Sequence, residues 1–160
     1  MKVLDNIKFI KQIENGCCPA SINIALDYYD ERISLNQDEC LRQLSSIGSS
    51  FFKATEKLFN SDTRYNTTYN FEELNTQSKE DWESKVKSYI DDNIPVIIST
   101  HSFKEDGSDN YHITVIYGYA GAKLYEMCPT NGSNLISLSD KLVNYGYGGT
   151  DLLIITKNEV

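Results

Sequence analysis

The sequence predicts an α+β fold in which a helical N-terminal half packs against a C-terminal antiparallel β-sheet. The chain has 160 residues, 40% hydrophobic and 24% charged, which is the composition of one ordinary globular domain. Before about residue 60, apolar residues recur at helical spacing, whereas β-branched runs dominate the C-terminal part. No internal repeat interrupts this pattern, so the whole chain, residues 1–160, is expected to be a single domain.

The clearest element is a helix predicted over residues 18–30. Its apolar residues recur at the period of an α-helix, which predicts one buried side. They are Cys18, Ile22, Ala25, Leu26 and Tyr29. Pro19 suits the first turn, where a missing N–H group breaks no helical hydrogen bond, and Asn15 with Gly16 predicts a turn just before the helix.

Three further helices are predicted from the same periodicity. They cover about residues 36–46, 50–59 and 78–92. The candidate N-cap residues are Asn36 or Ser34 for the first of these and Ser78 for the last.

Four β-strands are predicted from short β-branched runs and apolar–polar alternation. They cover residues 95–100, 112–117, 123–128 and 151–156. A turn bounded by Gly118 and Gly121 makes the second and third strands a predicted hairpin. The stretch 60–79 is rich in Asn, Ser, Thr and Asp, and it is expected to be a polar loop or a weakly structured excursion.

The charge of the chain excludes two classes of partner. A formal net charge of -8 argues against binding to nucleic acid and to an acidic membrane surface. No apolar run approaches the roughly 20 residues that span a bilayer, and the first residues lack the pattern of a signal peptide. We therefore expect a cytoplasmic protein whose cysteines are thiols rather than disulfides.

Cys17 is the candidate nucleophile because it follows a predicted turn and begins a predicted helix. The unpaired N–H groups and the positive dipole end of a helix N-terminus stabilise a thiolate. Such surroundings can lower a cysteine pKa from about 8.5 to roughly 3.5–7.5 when a cation assists. A lone cysteine at a helix start is more often a packing residue, and Cys18 on the apolar face is expected to be one.

Histidine is scarce, and both copies flank the same predicted strand–loop–strand region. His101 ends one strand, and His112 begins the next after a polar loop, where it can reach a neighbouring helix end. Alone, such a residue is more often a surface histidine. Together with Cys17, His112 completes the thiol–imidazole pair that nucleophilic catalysis requires.

The segment from Gln12 to Tyr29, with its Cys-Cys-Pro-Ala-Ser motif and its Tyr-Tyr end, resembles the nucleophile helix of bacterial papain-like cysteine peptidases. The most similar type is the double-glycine leader-peptidase domain of bacteriocin exporters, together with its stand-alone relatives. The runs that begin at Pro95, His112 and Tyr125 resemble its later strands, and residues 147–155 resemble its last strand. The resemblance covers most of the chain except about residues 48–80 and implies a papain-like α+β fold.

The resemblance also implies a role for each matching residue. Cys17 would be the nucleophile, His112 its general base and later its acid, and Gln12 an oxyanion-hole donor. These residue types suit acyl chemistry, because a thiolate attacks the acyl carbon while an amide donor stabilises the developing oxyanion. No cofactor and no metal is expected.

The chain departs from the family pattern at the nucleophile and at the group that orients the histidine. Cys18 replaces a glycine, and Gln12 lies five residues before Cys17 where the family usually has six. We prefer Cys17 because the following Pro-Ala-Ser then falls in place.

Cys128 stands where the family has the aspartate of an Asp-Pro pair, and a neutral thiol is a poor acceptor for an imidazole N–H. Asn131 is the alternative orienter.

Several functions fit these residues. The preferred one is acyl transfer through a Cys17 thioester, forming an amide bond in the biosynthesis of a small peptide-like metabolite. The expected partner is an acyl or peptide substrate, with a carrier protein as its tether in this interpretation. The alternatives are a stand-alone peptidase or amidase, a zinc module built from Cys17, His112 and Cys128, and an inactive papain-like binding module.

Overall fold

The structure is a computed structural model, and it describes most of the chain. The described residues are 1–14, 16–30, 36–40, 42, 60, 63–76, 78–103, 109–137 and 152–158. The predicted helix at 50–59 lies outside them, as does most of the second half of the helix predicted at 36–46.

Three helices and seven strands have defined bounds in this described part of the chain. In order they are β1 (Lys2–Val3), α1 (Cys17–Tyr29), α2 (Thr63–Asn66), β2 (Tyr69–Leu74), α3 (Lys79–Asp91), β3 (Val96–Phe103), β4 (Asp109–Ala120), β5 (Lys123–Cys128), β6 (Gly132–Ser137) and β7 (Leu152–Lys157). Residues 37–40 are also helical, and Asn36 caps them, since its Oδ1 accepts from the N–H of Glu39 at 3.0 Å. The predicted cap at Asn36 is confirmed.

The seven described strands form one antiparallel sheet. The order across the sheet is β2-β7-β3-β4-β5-β6, and β1 pairs with the far end of β4. The predicted hairpin is confirmed, because β4 and β5 pair across a turn in which Gly121 has a φ of 58°, a conformation that favours glycine. The register of this hairpin brings the Cys128 end of β5 alongside the His112 end of β4.

Helix α1 covers one face of the sheet. Its apolar side chains form a core with Ile97 of β3, Val115 of β4 and Leu153 of β7. The prediction of a helix with a single buried side was too narrow, because every residue from Cys18 to Leu26 is buried. The sheet covers one side of α1, and residues outside the sheet, such as Cys40 and Tyr65, belong to the same core.

Helix α3 covers the opposite face and is amphipathic. Trp82, Val86 and Ile90 are buried, where they join alternate residues of the central strands in a second core. The predicted cap is confirmed, since Ser78 Oγ accepts from the N–H of Asp81 at 3.1 Å. The sheet is therefore sandwiched between two helices, which confirms the predicted packing of helices on an antiparallel sheet.

The prediction of a polar loop at residues 60–79 was wrong. This stretch contains α2 and the strand β2, and Tyr65, Tyr69 and Phe71 from it are buried in the core beneath α1. The strand β2 forms because it pairs with β7, and the sequence of this stretch does not identify that distant partner. The strands β1 and β6 were also not predicted, and β4 extends beyond the predicted residues 112–117 at both ends.

None of the helices in the described residues is long and apolar enough to cross a bilayer. The four cysteines are free thiols.

Candidate active site

Cys17 is the first residue of α1, and this helix begins without a side-chain cap. The N-cap residue is Gly16, so no side chain competes for the first N–H groups. Pro19 has no N–H, and the N–H of Ala20 donates to the carbonyl of Gly16 at 3.0 Å. The N–H groups of Cys17 and Cys18 are therefore the donors that the helix offers to a sulfur or to an anion.

The thiol of Cys17 is half-buried against β4. Burial raises its pKa above the ordinary value, although hydrogen bonds from the main-chain N–H groups of Ile113, Cys18 and Cys17 itself lower it. These main-chain donors alone therefore do not lower the pKa, because desolvation of the thiolate exceeds the stabilisation that they provide. In these surroundings the neutral thiol is favoured until a base removes its proton.

Strand β4 brings the backbone of His112 to the start of α1. The next residue, Ile113, contacts both ends of the first helical turn: its N–H reaches the Cys17 sulfur, and its carbonyl accepts from Ser21 Oγ at 3.1 Å. His112 thus lies one residue along the strand from the main-chain contact of the sulfur. The side chain of His112 is outside the described part of the structure.

Gln12 lies in the segment that leads into α1. Its N–H donates to the carbonyl of Pro129 at 2.9 Å, and its Oε1 accepts from Thr130 Oγ1 at 2.8 Å. A turn closed by the N–H of Gly16 and the carbonyl of Ile13 connects this segment to the helix. The side chain of Gln12 is therefore held against the turn between β5 and β6, with its Nε2 end left to donate.

The two candidate orienting residues occupy different surroundings. Cys128 ends β5 and is 3% exposed, and it is near enough that a charge on it would raise the pKa of Cys17 further. Asn131 lies in the exposed turn that follows. Of the two positions, the structure places Cys128 inside the molecule and Asn131 at its surface. Cys18 is 1% exposed and belongs to the core, as expected.

No group of three or more His, Cys, Asp or Glu among the described side chains is arranged to hold a metal ion. The zinc set considered from the sequence includes His112, whose imidazole is not among those side chains. The described groups that contact the Cys17 sulfur are main-chain N–H donors. Such donors bind an anion rather than a metal cation.

Three residues near the site were missed in the sequence. Thr130 contacts Gln12, and Gln37 contacts its neighbour Ile13. The third residue is Glu126, which is 5% exposed and whose carboxylate accepts from Thr114 Oγ1 at 2.8 Å. Thr130 follows the Cys-Pro pair that the resemblance had already singled out. Gln37 carries no local signal, because its partners lie 24 to 26 positions earlier in the chain.

The sequence matches the profile of the Peptidase_C39 like family over residues 4–135. Among curated protein sequences, none matches the chain.

Several solved structures share the fold, including the following three. One is described as a C39-like peptidase from Bacillus anthracis, with a TM-score of 0.66, 14% identity, and coverage of 99% of this chain and 100% of that one. A double-glycine motif protease from an AMS/PCAT transporter, solved with its leader peptide, has a TM-score of 0.59, 19% identity and 99% coverage of each chain. The peptidase domain of Streptococcus ComA, a bifunctional ABC transporter of a quorum-sensing pathway, has a TM-score of 0.59, 15% identity and coverage of 96% and 99%. The predicted papain-like fold and the resemblance to double-glycine peptidase domains are confirmed.

Proposed function

Because this chain belongs to the Peptidase_C39 like family, we propose that it is a cysteine enzyme that transfers acyl groups through a thioester on Cys17. The observation that carries this proposal is the position of the Cys17 thiol. It lies at the uncapped start of α1, against the main-chain N–H of the residue that follows His112. The family and the fold support a cysteine-type hydrolase, and the assignment of each residue's role is the proposal.

Cys17 needs a base, since burial raises its pKa and keeps the thiol protonated in the described surroundings. His112 is the proposed base, because its backbone lies next to the Ile113 contact. In the proposed first step the Cys17 sulfur bonds to the acyl carbon and its proton passes to His112. The protonated imidazole then gives this proton to the leaving group as the old acyl bond breaks.

The oxyanion that forms in this step has two proposed donors. One is the main-chain N–H of Cys17, which lies in the first turn and therefore donates to no carbonyl of the helix. The other is Nε2 of Gln12, whose Oε1 end is already occupied by Thr130. Removal of one such donor typically lowers the rate by about 10²–10³-fold.

Peptide or amide hydrolysis is the outcome that the family supports, with water as the acceptor. A second candidate is amide-bond formation from a carrier-bound thioester in the biosynthesis of a small peptide-like metabolite. The buried Cys128 favours this candidate, because it stands where the related motif has a carboxylate. A neutral thiol stabilises the imidazolium less than a carboxylate does, and a thioester is more easily attacked than an amide.

Intact-mass spectrometry tests the proposal with one acyl peptide offered in two forms, as a thioester and as an amide. We expect a covalent adduct on Cys17 from the thioester and no adduct in the Cys17→Ala variant. Incubation in buffer alone or with an amine acceptor then separates hydrolysis from amide formation by the product released. A wild-type protein that forms neither an adduct nor a product from either form, or an adduct that persists in Cys17→Ala, would contradict the proposal.

A further inference from the structure

The residues before and after Gln12 are hydrogen-bonded through their main chain to the side chain of Gln37, which lies far away in the sequence. The carboxamide of Gln37 donates from Nε2 to the carbonyl of Lys11 at 3.1 Å and accepts at Oε1 from the N–H of Ile13 at 2.9 Å. One side chain thus makes the two hydrogen bonds that a neighbouring β-strand would make. This pairing fixes the backbone on either side of Gln12.

The side chain of Gln12 is fixed separately. The turn after β5 contributes the carbonyl of Pro129, which accepts from the Gln12 N–H at 2.9 Å, and the hydroxyl of Thr130, which donates to Gln12 Oε1 at 2.8 Å. A carboxamide has an acceptor end and a donor end, so occupying Oε1 directs Nε2 the other way. Donation to Oε1 also polarises the amide and strengthens the hydrogen bond that its N–H makes.

We propose that Thr130 and Gln37 are positioning residues that aim the Gln12 amide at the oxyanion, Thr130 through its side chain and Gln37 through its main chain. This inference rests on the proposed function, because it assumes an acyl-enzyme on Cys17 with Gln12 as a donor. In this proposal both residues act through Gln12 rather than on the substrate. Preorganised donors are effective because they need no reorientation during the reaction, so loosening Gln12 slows acylation without altering the nucleophile.

The test compares two reactions of Cys17 that differ in their need for an oxyanion donor. Acylation by 4-nitrophenyl acetate forms the S–C bond through an oxyanion, breaks the ester C–O bond and releases 4-nitrophenolate. Alkylation by iodoacetamide displaces iodide at a saturated carbon and forms no oxyanion. The ratio of the two rates therefore reports on the oxyanion hole, whereas a general loss of structure changes both rates.

Thr130→Val removes the hydroxyl and keeps the shape of the side chain, and we expect acylation to fall about 5-fold, as the loss of one hydrogen bond predicts. Alkylation should stay at the wild-type rate. Thr130→Ser should restore acylation. Ser133→Ala is the matched control on the same hairpin edge, because its hydroxyl bonds to Tyr117 at 2.6 Å rather than to Gln12. Its acylation rate should equal that of the wild type.

Gln37→Ala should lower acylation similarly, and Gln12→Ala should lower it most. In the Gln12→Ala background, adding Thr130→Val should change nothing further, because the group that Thr130 orients is gone. Wild-type acylation in Thr130→Val beside slow acylation in Gln12→Ala would overturn this inference alone. Equal losses of acylation and alkylation in Thr130→Val would overturn it as well. A wild-type protein that is not acylated would overturn the proposed function and, with it, this inference.

Discussion

The two long helices on opposite faces of the sheet begin in opposite ways. Helix α3 has a Ser78 cap, acidic residues in its first turn, and ion pairs between Lys85 and Asp81 at 3.2 Å and between Lys87 and Glu83 at 2.7 Å. Helix α1 has a glycine at its N-cap, no side-chain cap bond, and no acidic residue in its first turn.

The difference separates a helix stabilised by its own sequence from one stabilised by its surroundings. An acidic residue or a serine cap at the start of α1 would satisfy the N–H groups that face the Cys17 thiol. Their absence leaves those donors for the sulfur and for the proposed oxyanion. Burial of the residues from Cys18 to Leu26 stabilises α1 in place of a cap. Helix α1, which carries Cys17, therefore depends on tertiary packing more than α3 does.

The largest expected effect lies in the first turn of α1. Cys17→Ala should reduce acylation by about 10⁴-fold or more, as removal of a catalytic nucleophile typically does. Thermal unfolding should remain close to that of the wild type. Cys18→Ala is the matched control: it should keep acylation and lose about 1 kcal/mol of stability, because Cys18 is 1% exposed in the core. The opposite pattern would make Cys18 the nucleophile.

Cys128→Asp tests the other end of the proposed pair. We expect hydrolysis of an amide substrate to rise about 10-fold, a small part of the 10²–10⁴-fold that a positioned acid–base group contributes. The gain is limited, because position 128 is buried and the carboxylate of Glu126 is also buried on the same strand. Cys128→Ser, which adds no charge, is the control. Unchanged or lower hydrolysis in Cys128→Asp would exclude position 128 as the orienting site.

Gly16→Ala should affect both stability and acylation. A Cβ at this position would lie 2.7 Å from Ile13 Cγ1 and 2.8 Å from Gln37 Oε1, so the residues that hold Gln12 must move. We expect a loss of about 1–3 kcal/mol by chemical denaturation, as for other overpacked sites, with slower acylation. Gly121→Ala is the control, because it strains a turn with a φ of 58° far from these contacts and should leave acylation unchanged. Slower acylation in both variants would contradict this account.

The smallest expected effect is at the cap of α3. Ser78→Ala removes the acceptor for the N–H of Asp81 and should cost about 1 kcal/mol in the free energy of unfolding. Acylation should not change, because α3 lies on the face of the sheet opposite α1. A change in acylation would contradict the account, in which α1 carries the reacting residue and α3 contributes to stability alone.

The sequence predicted what depends on local periodicity and failed where the partner is distant. The bounds of α1 and α3, each to within one residue, and the residues of β5 follow from apolar spacing, the turn before α1 and the Ser78 cap of α3. The strand β2 has the polar residues Asn70 and Glu72 on its exposed positions, and it forms because residues of β7, 78 to 88 positions later, pair with it. The sequence of residues 69–74 does not identify β7 as the partner.

The same limit applies to the candidate site. Cys17, His112 and Gln12 could be selected because motifs mark them, and Cys128 because it occupies a position where the motif differs. The contribution of burial to the pKa of Cys17 could not be predicted, because it depends on how α1 packs on β4. Gln37 was missed for the same reason, since its bonds to Lys11 and Ile13 exist only in the folded chain.

The pairing of Cys17 with His112 is tested most directly by the pH dependence of Cys17 alkylation in the wild type and in His112→Ala. Iodoacetamide reacts with thiolates, and Cys40 does not interfere near neutral pH because burial raises its pKa to about 11. The imidazolium should give the wild type a reactive thiolate below neutral pH. In His112→Ala the single step should lie above the ordinary cysteine pKa, because burial then dominates. Superimposable profiles would show that the imidazole does not act on this sulfur and would contradict the account.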